Sequence, residues 1–280
     1  MGLRTFLGLK RHSTVRSASA LLPRLTTRLT PSGRQASPVG HYALLRQEQV
    51  QRFLRELAAT RNIVFVTGCA RSGTTLLQRC LATLHDPIYY WSENSLTAIF
   101  KSRRIDGANI VLKRTAACHS HFDAIPTGIK IVHIVRHPAH VFTSRHAKRE
   151  GFYVTPQRWQ AEYAAFTALR ERHPHDRLTV VRYEDLLAEP DAVQDHIGRA
   201  LDVSFDLPFS RYTERDYLDE KIVPHTGLKR TWVPIDPGRP QQNRTGTEHI
   251  THWAAIRTKL APELARFCEE FGYPIDRAGM

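Results

Sequence analysis

A short run of β-branched and aromatic residues, Ile63 to Thr67, leads directly into a glycine-rich loop that spans Gly68 to Gly73. Such a run bounded by glycine predicts a buried strand, and the pattern over residues 74–84 predicts a helix. A strand that enters a helix through this kind of loop directs backbone N–H groups and the positive end of the helix dipole at one point. The segment therefore predicts a site for phosphate or sulfate.

Strand and helix patterns alternate along the rest of the chain. Further strands are predicted over residues 110–112, 129–135 and 178–181, and helices over residues 42–60, 156–172, 191–201 and 261–271, with another helix opening at Pro138. Strands that alternate with helices favour a parallel sheet covered on both faces. We therefore expect an α/β protein with three layers, α/β/α, around a central parallel sheet.

Basic residues are concentrated near the N-terminus. The chain has 40 Lys and Arg against 27 Asp and Glu, a net charge of +13, and residues 1–46 carry +8 of it without a single acidic residue. Because the rest of the chain is only mildly basic, a nucleic-acid-binding surface is not expected. We predict a basic tail over residues 1–41, either disordered or a targeting segment, and one folded domain over residues 42–280.

The composition also bears on the cellular location. The expected location is the cytoplasm, or an organelle matrix if the acid-free tail is a transit peptide. The four cysteines stand far apart without the spacing of a zinc site, which favours a reducing compartment and no bound metal. No stretch approaches the roughly 18 consecutive apolar residues of a membrane-spanning helix, so none is expected.

The residues inside the glycine-rich loop differ from those of nucleotide hydrolases. In such enzymes the second glycine is followed by a lysine that reaches the terminal phosphates and by a Ser or Thr that holds Mg²⁺. Here Thr74 stands at the lysine position, and the cation lies inside the loop at Arg71. Ordinary ATP or GTP turnover is difficult to build without that lysine and metal. The loop therefore predicts anion binding without Mg²⁺.

A second anion motif follows the predicted strand at residues 129–135. A nucleotide hydrolase would carry an Asp for Mg²⁺ at this strand end, whereas this strand ends at Arg136. Ser144 comes eight residues later, which places it about two turns into the expected helix. Arg136 and Ser144 can reach one phosphate if the helix start folds back on the strand end. From spacing alone, a capping or ion-paired role for Arg136 is an open alternative.

Together these two motifs resemble those of the sulfotransferases that use 3′-phosphoadenosine 5′-phosphosulfate (PAPS) as sulfuryl donor, in the branch that acts on carbohydrates and protein tyrosines. A third match is the run from Val181 to Pro190, which is similar to the family's strand and Tyr-Glu-Asp-Leu turn. The resemblance extends from about residue 63 to residue 273. It implies a fold like that of P-loop nucleotide hydrolases and a nucleotide bound without metal.

The resemblance also implies roles for individual residues. The 5′-phosphosulfate group would be held by the first loop, through Arg71, Ser72, Gly73, Thr74 and Thr75. Arg136 and Ser144 would hold the 3′-phosphate, and Tyr183 would contact the adenine. The family also has a C-terminal phosphate-binding loop, for which three residues are candidates here, namely Lys229, Arg230 and Arg244.

Sulfuryl transfer needs a base for the acceptor's proton and cations that offset charge on the bridging oxygen. Arg71 supplies one cation, and Lys113 stands where the family often has a catalytic lysine. The histidine that small-molecule sulfotransferases place two residues later is Thr115 in this chain. Glu93 follows the loop helix much as the Glu base does in the carbohydrate and protein-tyrosine enzymes. His119 and His121 are the alternative bases.

The expected function is therefore in-line transfer of the sulfuryl group from PAPS to an acceptor hydroxyl on a glycan, a glycolipid or another alcohol, with Glu93 as base. Two alternatives stay open. One is a P-loop kinase of a small molecule, which the missing lysine after Gly73 disfavours. The other is a nucleotide-binding protein without catalysis, which the polar residues at positions 93 and 113 disfavour.

Overall fold

A computed structural model describes residues 43–89, 99, 107–113, 118–145, 150–214, 234–236 and 246–274. The tail predicted over residues 1–41 and its boundary with the folded domain lie outside these ranges. All of the described residues belong to one compact unit of the chain. In the part of the chain that is described, no helix is long and apolar enough to cross a membrane.

Five parallel strands form the central sheet, in the order β2-β3-β1-β4-β5. Their bounds are β1 (Asn62–Gly68), β2 (Pro87–Tyr89), β3 (Asn109–Lys113), β4 (Lys130–Val135) and β5 (Leu178–Arg182). The helices are α1 (Glu48–Ala58), α2 (Thr74–Leu81), α3 (Pro138–Phe142), α4 (Pro156–Arg172), α5 (Tyr183–Ala188), α6 (Pro190–Leu201), α7 (Thr247–Lys259) and α8 (Ala261–Phe271). Short 3-10 helices cover Ala43–Arg46, Cys118–Ala124, His175–Arg177 and Phe209–Glu214.

Helices cover both faces of the sheet. Alternate residues of each strand face opposite sides, so the apolar side chains on each face pack against their own layer of helices. In β1, Val64 and Val66 pack in one apolar cluster with residues of α2, α5 and α6. Ile63 and Phe65 pack in another with residues of α1 and α4. A third cluster joins α3, α4, α7 and α8 beside the sheet. The predicted three-layer α/β/α fold with a parallel sheet is confirmed.

Strand β2 and helices α5 and α7 were not predicted from the sequence, and α5, with only six residues, was expected as a turn. Strand β2 has only three residues, so it is too short to show a periodic pattern, and it pairs with β3 at the edge of the sheet. Helix α7 buries a single residue fully, Ile256, and therefore lacks the apolar stripe that reveals most helices. The prediction of a longer helix at residues 74–84 was also wrong at its end, because α2 stops at Leu81.

The prediction that Ser144 lies about two turns inside a helix was wrong. Helix α3 has only five residues and ends at Phe142, so Ser144 follows it in the connecting turn. The amide of Ser144 donates to the carbonyl of Val141, a bond from residue i to i−3 that tightens the chain after the helix. From this turn the hydroxyl of Ser144 reaches Arg71 in the glycine-rich loop.

Gly68, the last residue of β1, is required by its surroundings. Its φ is +146°, and a Cβ atom there would lie 2.5 Å from the carbonyl oxygen of Ile134 on the neighbouring strand. We expect Gly68→Ala to lower the free energy of unfolding by about 2 kcal/mol or more, through backbone strain and overpacking. Thermal or denaturant unfolding measures the loss.

Gly128→Ala is the matched control for this substitution. A Cβ atom at Gly128 would meet its nearest neighbour, the Cβ of Ala58, at an ordinary 3.7 Å. Its stability should stay near that of the wild type. Equal stabilities for the two variants would contradict the close approach of β1 and β4.

Candidate functional site

The glycine-rich loop and the Arg136 motif lie on either side of a topological switch point. Strands β1 and β4 are neighbours in the sheet, with Gly68 opposite Ile134. The chain leaves β1 toward β2 and β3 on one side and leaves β4 toward β5 on the other. Ligands of open α/β sheets bind in the crevice beyond the carboxyl ends of such strands. The fold therefore brings the two predicted anion motifs to one crevice.

Arg71 connects the two motifs directly. It has a φ of +73°, an uncommon left-handed conformation for a residue with a side chain, and its side chain is exposed. Its Nε donates a hydrogen bond to the Oγ of Ser144 at 2.6 Å. Its carbonyl oxygen accepts a hydrogen bond from Nη1 of Arg136 at 3.0 Å. The loop cation and both residues of the second motif therefore form one bonded group.

Arg136 is a buried cation at the end of β4, only 7% exposed. Burial lowers the pKa of its guanidinium from the ordinary value, while nearby Tyr183 and Glu184 act in the opposite direction. The guanidinium carbon lies 4.1 Å from the centre of the Tyr183 ring. Its Nε has no hydrogen-bond partner among the described residues. Such an unsatisfied buried donor is the kind of group that an anionic ligand can satisfy.

The first turn of α2 completes the loop. Gly73 caps this helix with a φ of +98°, followed by the half-buried hydroxyl residues Thr74 and Thr75. A Cβ atom at Gly73 would lie 2.3 Å from Cδ2 of Tyr183, so the glycine lets the tyrosine ring pack against the loop. Ser72 is 1% exposed within the loop. The residues predicted for the 5′-phosphosulfate group are therefore contiguous at a helix N-terminus.

Lys113 joins this group from β3, the other neighbour of β1. It is the last residue of its strand, and its side chain is buried, with the residue 5% exposed. Its Nζ donates a hydrogen bond to Oγ1 of Thr75 at 3.1 Å. The second predicted catalytic cation therefore lies at the start of α2, beside the glycine-rich loop.

Of the three candidate bases, the structure describes His119 and His121 but not Glu93. Glu93 lies outside the described residues, as do Thr115 and the three C-terminal loop candidates. His121 faces the N-terminal part of the domain, where its Nδ1 accepts a hydrogen bond from Arg46 at 3.3 Å. Burial, followed by the charge of Arg46, lowers the pKa of His121. The Nδ1 of His121 is therefore engaged by Arg46.

His119 lies in a different environment, which was not predicted from the sequence. Its Nδ1 lies 3.7 Å from Oε1 of Glu162, a carboxylate on α4 whose side chain is 3% exposed. The same oxygen accepts a hydrogen bond from Nε of Arg158 at 2.9 Å. A sequence signal did exist, because Glu162 stands on the same helical face as the buried Trp159 and Phe166. An acidic residue inside an apolar stripe indicates a paired or functional carboxylate.

Residues 123–207 match a family model described as "Sulfotransferase family". This stretch of the chain is similar in sequence to the sulfotransferase family. It contains Arg136, Ser144 and Tyr183, so it covers the second motif and the Tyr-Glu-Asp turn and ends before α7. The resemblance to sulfotransferases noted from the sequence is confirmed. No curated protein sequence matches the chain significantly.

Solved structures give more distant likenesses. The sulfotransferase domain of the curacin biosynthetic pathway is 18% identical, with 76% of this chain and 98% of that one covered and a TM-score of 0.49. The sulfotransferase domain of the Synechococcus PCC 7002 olefin synthase is 19% identical, with 69% and 94% covered and a TM-score of 0.48. A mouse sulfotransferase complexed with PAP (adenosine 3′,5′-bisphosphate) is 13% identical, with 78% of this chain and 93% of that one covered and a TM-score of 0.44. All three TM-scores are below 0.5.

Proposed function

We propose that the crevice binds PAPS and that the protein transfers its sulfuryl group to an acceptor hydroxyl. The observation that carries this proposal is the bonded group of Arg71, Ser144 and Arg136, which joins the loop for one end of the nucleotide to the motif for the other. A ligand with phosphate at both its 5′ and 3′ positions fits a crevice with cationic groups on both sides.

The positive charge in the crevice comes from side chains. The basic side chains of Arg71, Lys113 and Arg136 lie on or beside the two motifs. Together with the N-terminus of α2 they offset the negative charge of a phosphosulfate and a 3′-phosphate. Nucleotide binding should therefore not require Mg²⁺.

The proposed reaction is a direct displacement at sulfur. The acceptor oxygen forms a bond to sulfur while the bond between sulfur and the bridging phosphate oxygen breaks, and a base takes the acceptor's proton. Arg71 and Lys113 would stabilise the charge that grows on the bridging oxygen. The products are the sulfated acceptor and adenosine 3′,5′-bisphosphate (PAP).

We propose Glu93 as the base, on the strength of its position after the loop helix in the sequence. His119 is the second candidate, because a histidine beside a buried carboxylate has the arrangement of a general base with an orienting partner. The two candidates make opposite predictions for the turnover of the Glu93→Gln variant.

Incubation with ³⁵S-labelled PAPS and a panel of glycan, glycolipid, phenol and peptide acceptors tests the proposed reaction. We expect label on at least one acceptor in the presence of EDTA. A parallel assay with γ-labelled ATP and Mg²⁺ tests the kinase alternative and should transfer no label. Tight PAP binding without transfer to any acceptor in the panel would favour a nucleotide-binding protein without catalysis.

A further inference from the structure

The Tyr-Glu-Asp turn contains a carboxylate with no role in the reaction proposed above. Glu184 lies in the first turn of α5, immediately after β5, and it is half-buried. Its Oε1 accepts a hydrogen bond from the backbone amide of His137 at 3.1 Å. Its Oε2 accepts a hydrogen bond from the hydroxyl of Tyr273 at 2.8 Å. One side chain therefore joins the ends of β4 and β5 to Tyr273, two residues after the end of α8.

We propose that Glu184 is a positioning residue for recognition of the 3′-phosphate. It fixes the backbone immediately after Arg136 and so sets where the Arg136 guanidinium lies. This inference rests on the proposed function, in which Arg136 reads the 3′-phosphate.

The backbone at this point needs such a partner. The ladder between β4 and β5 ends at Val135, so the amide of His137 lies beyond the last pair of the sheet. A carboxylate that accepts a backbone N–H makes a charge-assisted bond, which is stronger than a neutral one. The bond to Glu184 therefore determines how the chain leaves the strand directly after Arg136.

His137 adds a second connection between the same segments. Its Nδ1 accepts a hydrogen bond from the amide of Ala139 at 3.2 Å, so this nitrogen carries no proton. The proton therefore lies on Nε2, which donates to the carbonyl of Pro274 at 3.1 Å. The strand end and the residues after α8 are joined both through Glu184 and through a neutral His137.

Tyr273 is suited to remain the donor in this network. Its ring is 5% exposed and lies 4.5 Å from the guanidinium carbon of Arg182. Burial raises the pKa of the Tyr273 hydroxyl, and the charge of Glu184 acts in the same direction. The hydroxyl therefore stays protonated and continues to donate to the carboxylate at neutral and moderately alkaline pH.

The same turn also contacts the Arg136 guanidinium directly, through the ring of Tyr183. Tyr183, the residue before Glu184, packs its ring against Arg136 and against Gly73 of the loop. A shift of the turn would therefore move the surface on which the guanidinium lies as well as the backbone that carries it. Charge-assisted hydrogen bonds between a guanidinium and a phosphate need a defined distance and angle, so such a shift would weaken the contact with the 3′-phosphate.

The test compares Glu184→Gln with Asp185→Asn, a matched control on the same turn. Asp185 is exposed and lies 3.9 Å from Arg182, and within the described part of the chain its side chain makes no hydrogen bond or ion pair with Arg71, Arg136 or Ser144. Calorimetry gives the dissociation constants for PAP and for AMP, which lacks the 3′-phosphate. We expect Glu184→Gln to raise the constant for PAP about tenfold and to leave that for AMP nearly unchanged. Asp185→Asn should alter neither.

Tyr273→Phe provides a second variant that removes only one hydroxyl, in case Glu184→Gln does not fold. It should raise the PAP constant by about threefold, and the double variant should be no worse than Glu184→Gln alone. Hydrogen exchange at the His137 amide should accelerate in Glu184→Gln but not in Asp185→Asn.

The outcomes separate the inference from the proposed function. If the wild type binds PAP and AMP equally well, the 3′-phosphate site is wrong and the role of Glu184 falls with it. If the wild type prefers PAP and Glu184→Gln keeps the whole preference, the proposed function stands and only the positioning role is overturned. Equal losses for PAP and AMP would show that Glu184 serves general stability, which also overturns it.

Discussion

Glu93→Gln should lower turnover by about 10²- to 10⁴-fold, the range that general-base catalysis commonly supplies, while the affinity for PAP stays near that of the wild type. The glutamine keeps the size and shape of the side chain but cannot accept the acceptor's proton at neutral pH. A base acts on the acceptor and contributes little to holding the donor, so the rate should fall without a loss of nucleotide binding. Steady-state kinetics with labelled PAPS, together with calorimetry, separates the two effects.

Glu56→Gln is the matched control for this prediction. Glu56 is an exposed residue of α1 that lies 3.7 Å from Arg52, and its substitution should leave turnover unchanged. A nearly silent Glu93→Gln together with a His119→Ala variant that abolishes transfer would show that the base is His119. In that case the carboxylate of Glu162 would orient the His119 ring. The resemblance to the carbohydrate-type sulfotransferases, which have a Glu base, would then be weaker.

Arg136→Ala should weaken PAP binding by about 2 kcal/mol or more, which is the loss of a charge-assisted contact to the 3′-phosphate. AMP, which has no 3′-phosphate, should bind almost as it does to the wild type. Arg136→Lys should fall between the two, because lysine keeps the charge but loses the planar group that lies on Tyr183. Calorimetry with both nucleotides measures the difference.

Arg211→Ala serves as the control for loss of an arginine. Arg211 is exposed and pairs with Glu214, so its removal should leave the binding of both nucleotides unchanged. If Arg136→Ala weakens PAP and AMP equally, Arg136 has a structural role, the alternative that spacing alone leaves open.

The features that were predictable from the sequence depend on residues close together in the chain. The strand, loop and helix over residues 62–81 have strong local patterns, and so does β4 with Arg136 at its end. The parallel sheet also followed from the alternation of strands and helices. That Arg71 would contact Ser144 was not predictable, because these residues are far apart in sequence and meet only through the pairing of β1 with β4.

Other parts of the site were hidden for related physical reasons. The environment of His119 depends on Glu162, which comes from α4, and the role of Glu184 depends on Tyr273 near the end of the described chain. Helix α7 was missed because tertiary packing, and not a periodic apolar stripe, holds it in place. Local pattern therefore locates the anion-binding motifs, while long-range pairing decides which side chains support them.

Calorimetry of the wild-type protein with PAP in EDTA is the most direct test of a metal-free crevice for a nucleotide with a 3′-phosphate. We predict clear binding of PAP with the metal chelated and binding of AMP at least about tenfold weaker, because AMP cannot engage Arg136. Titration with ATP in the presence of Mg²⁺ should show no tighter complex than AMP does. PAP binding that disappears on chelation, or a preference for ATP with Mg²⁺ over PAP, would contradict this assignment of the crevice.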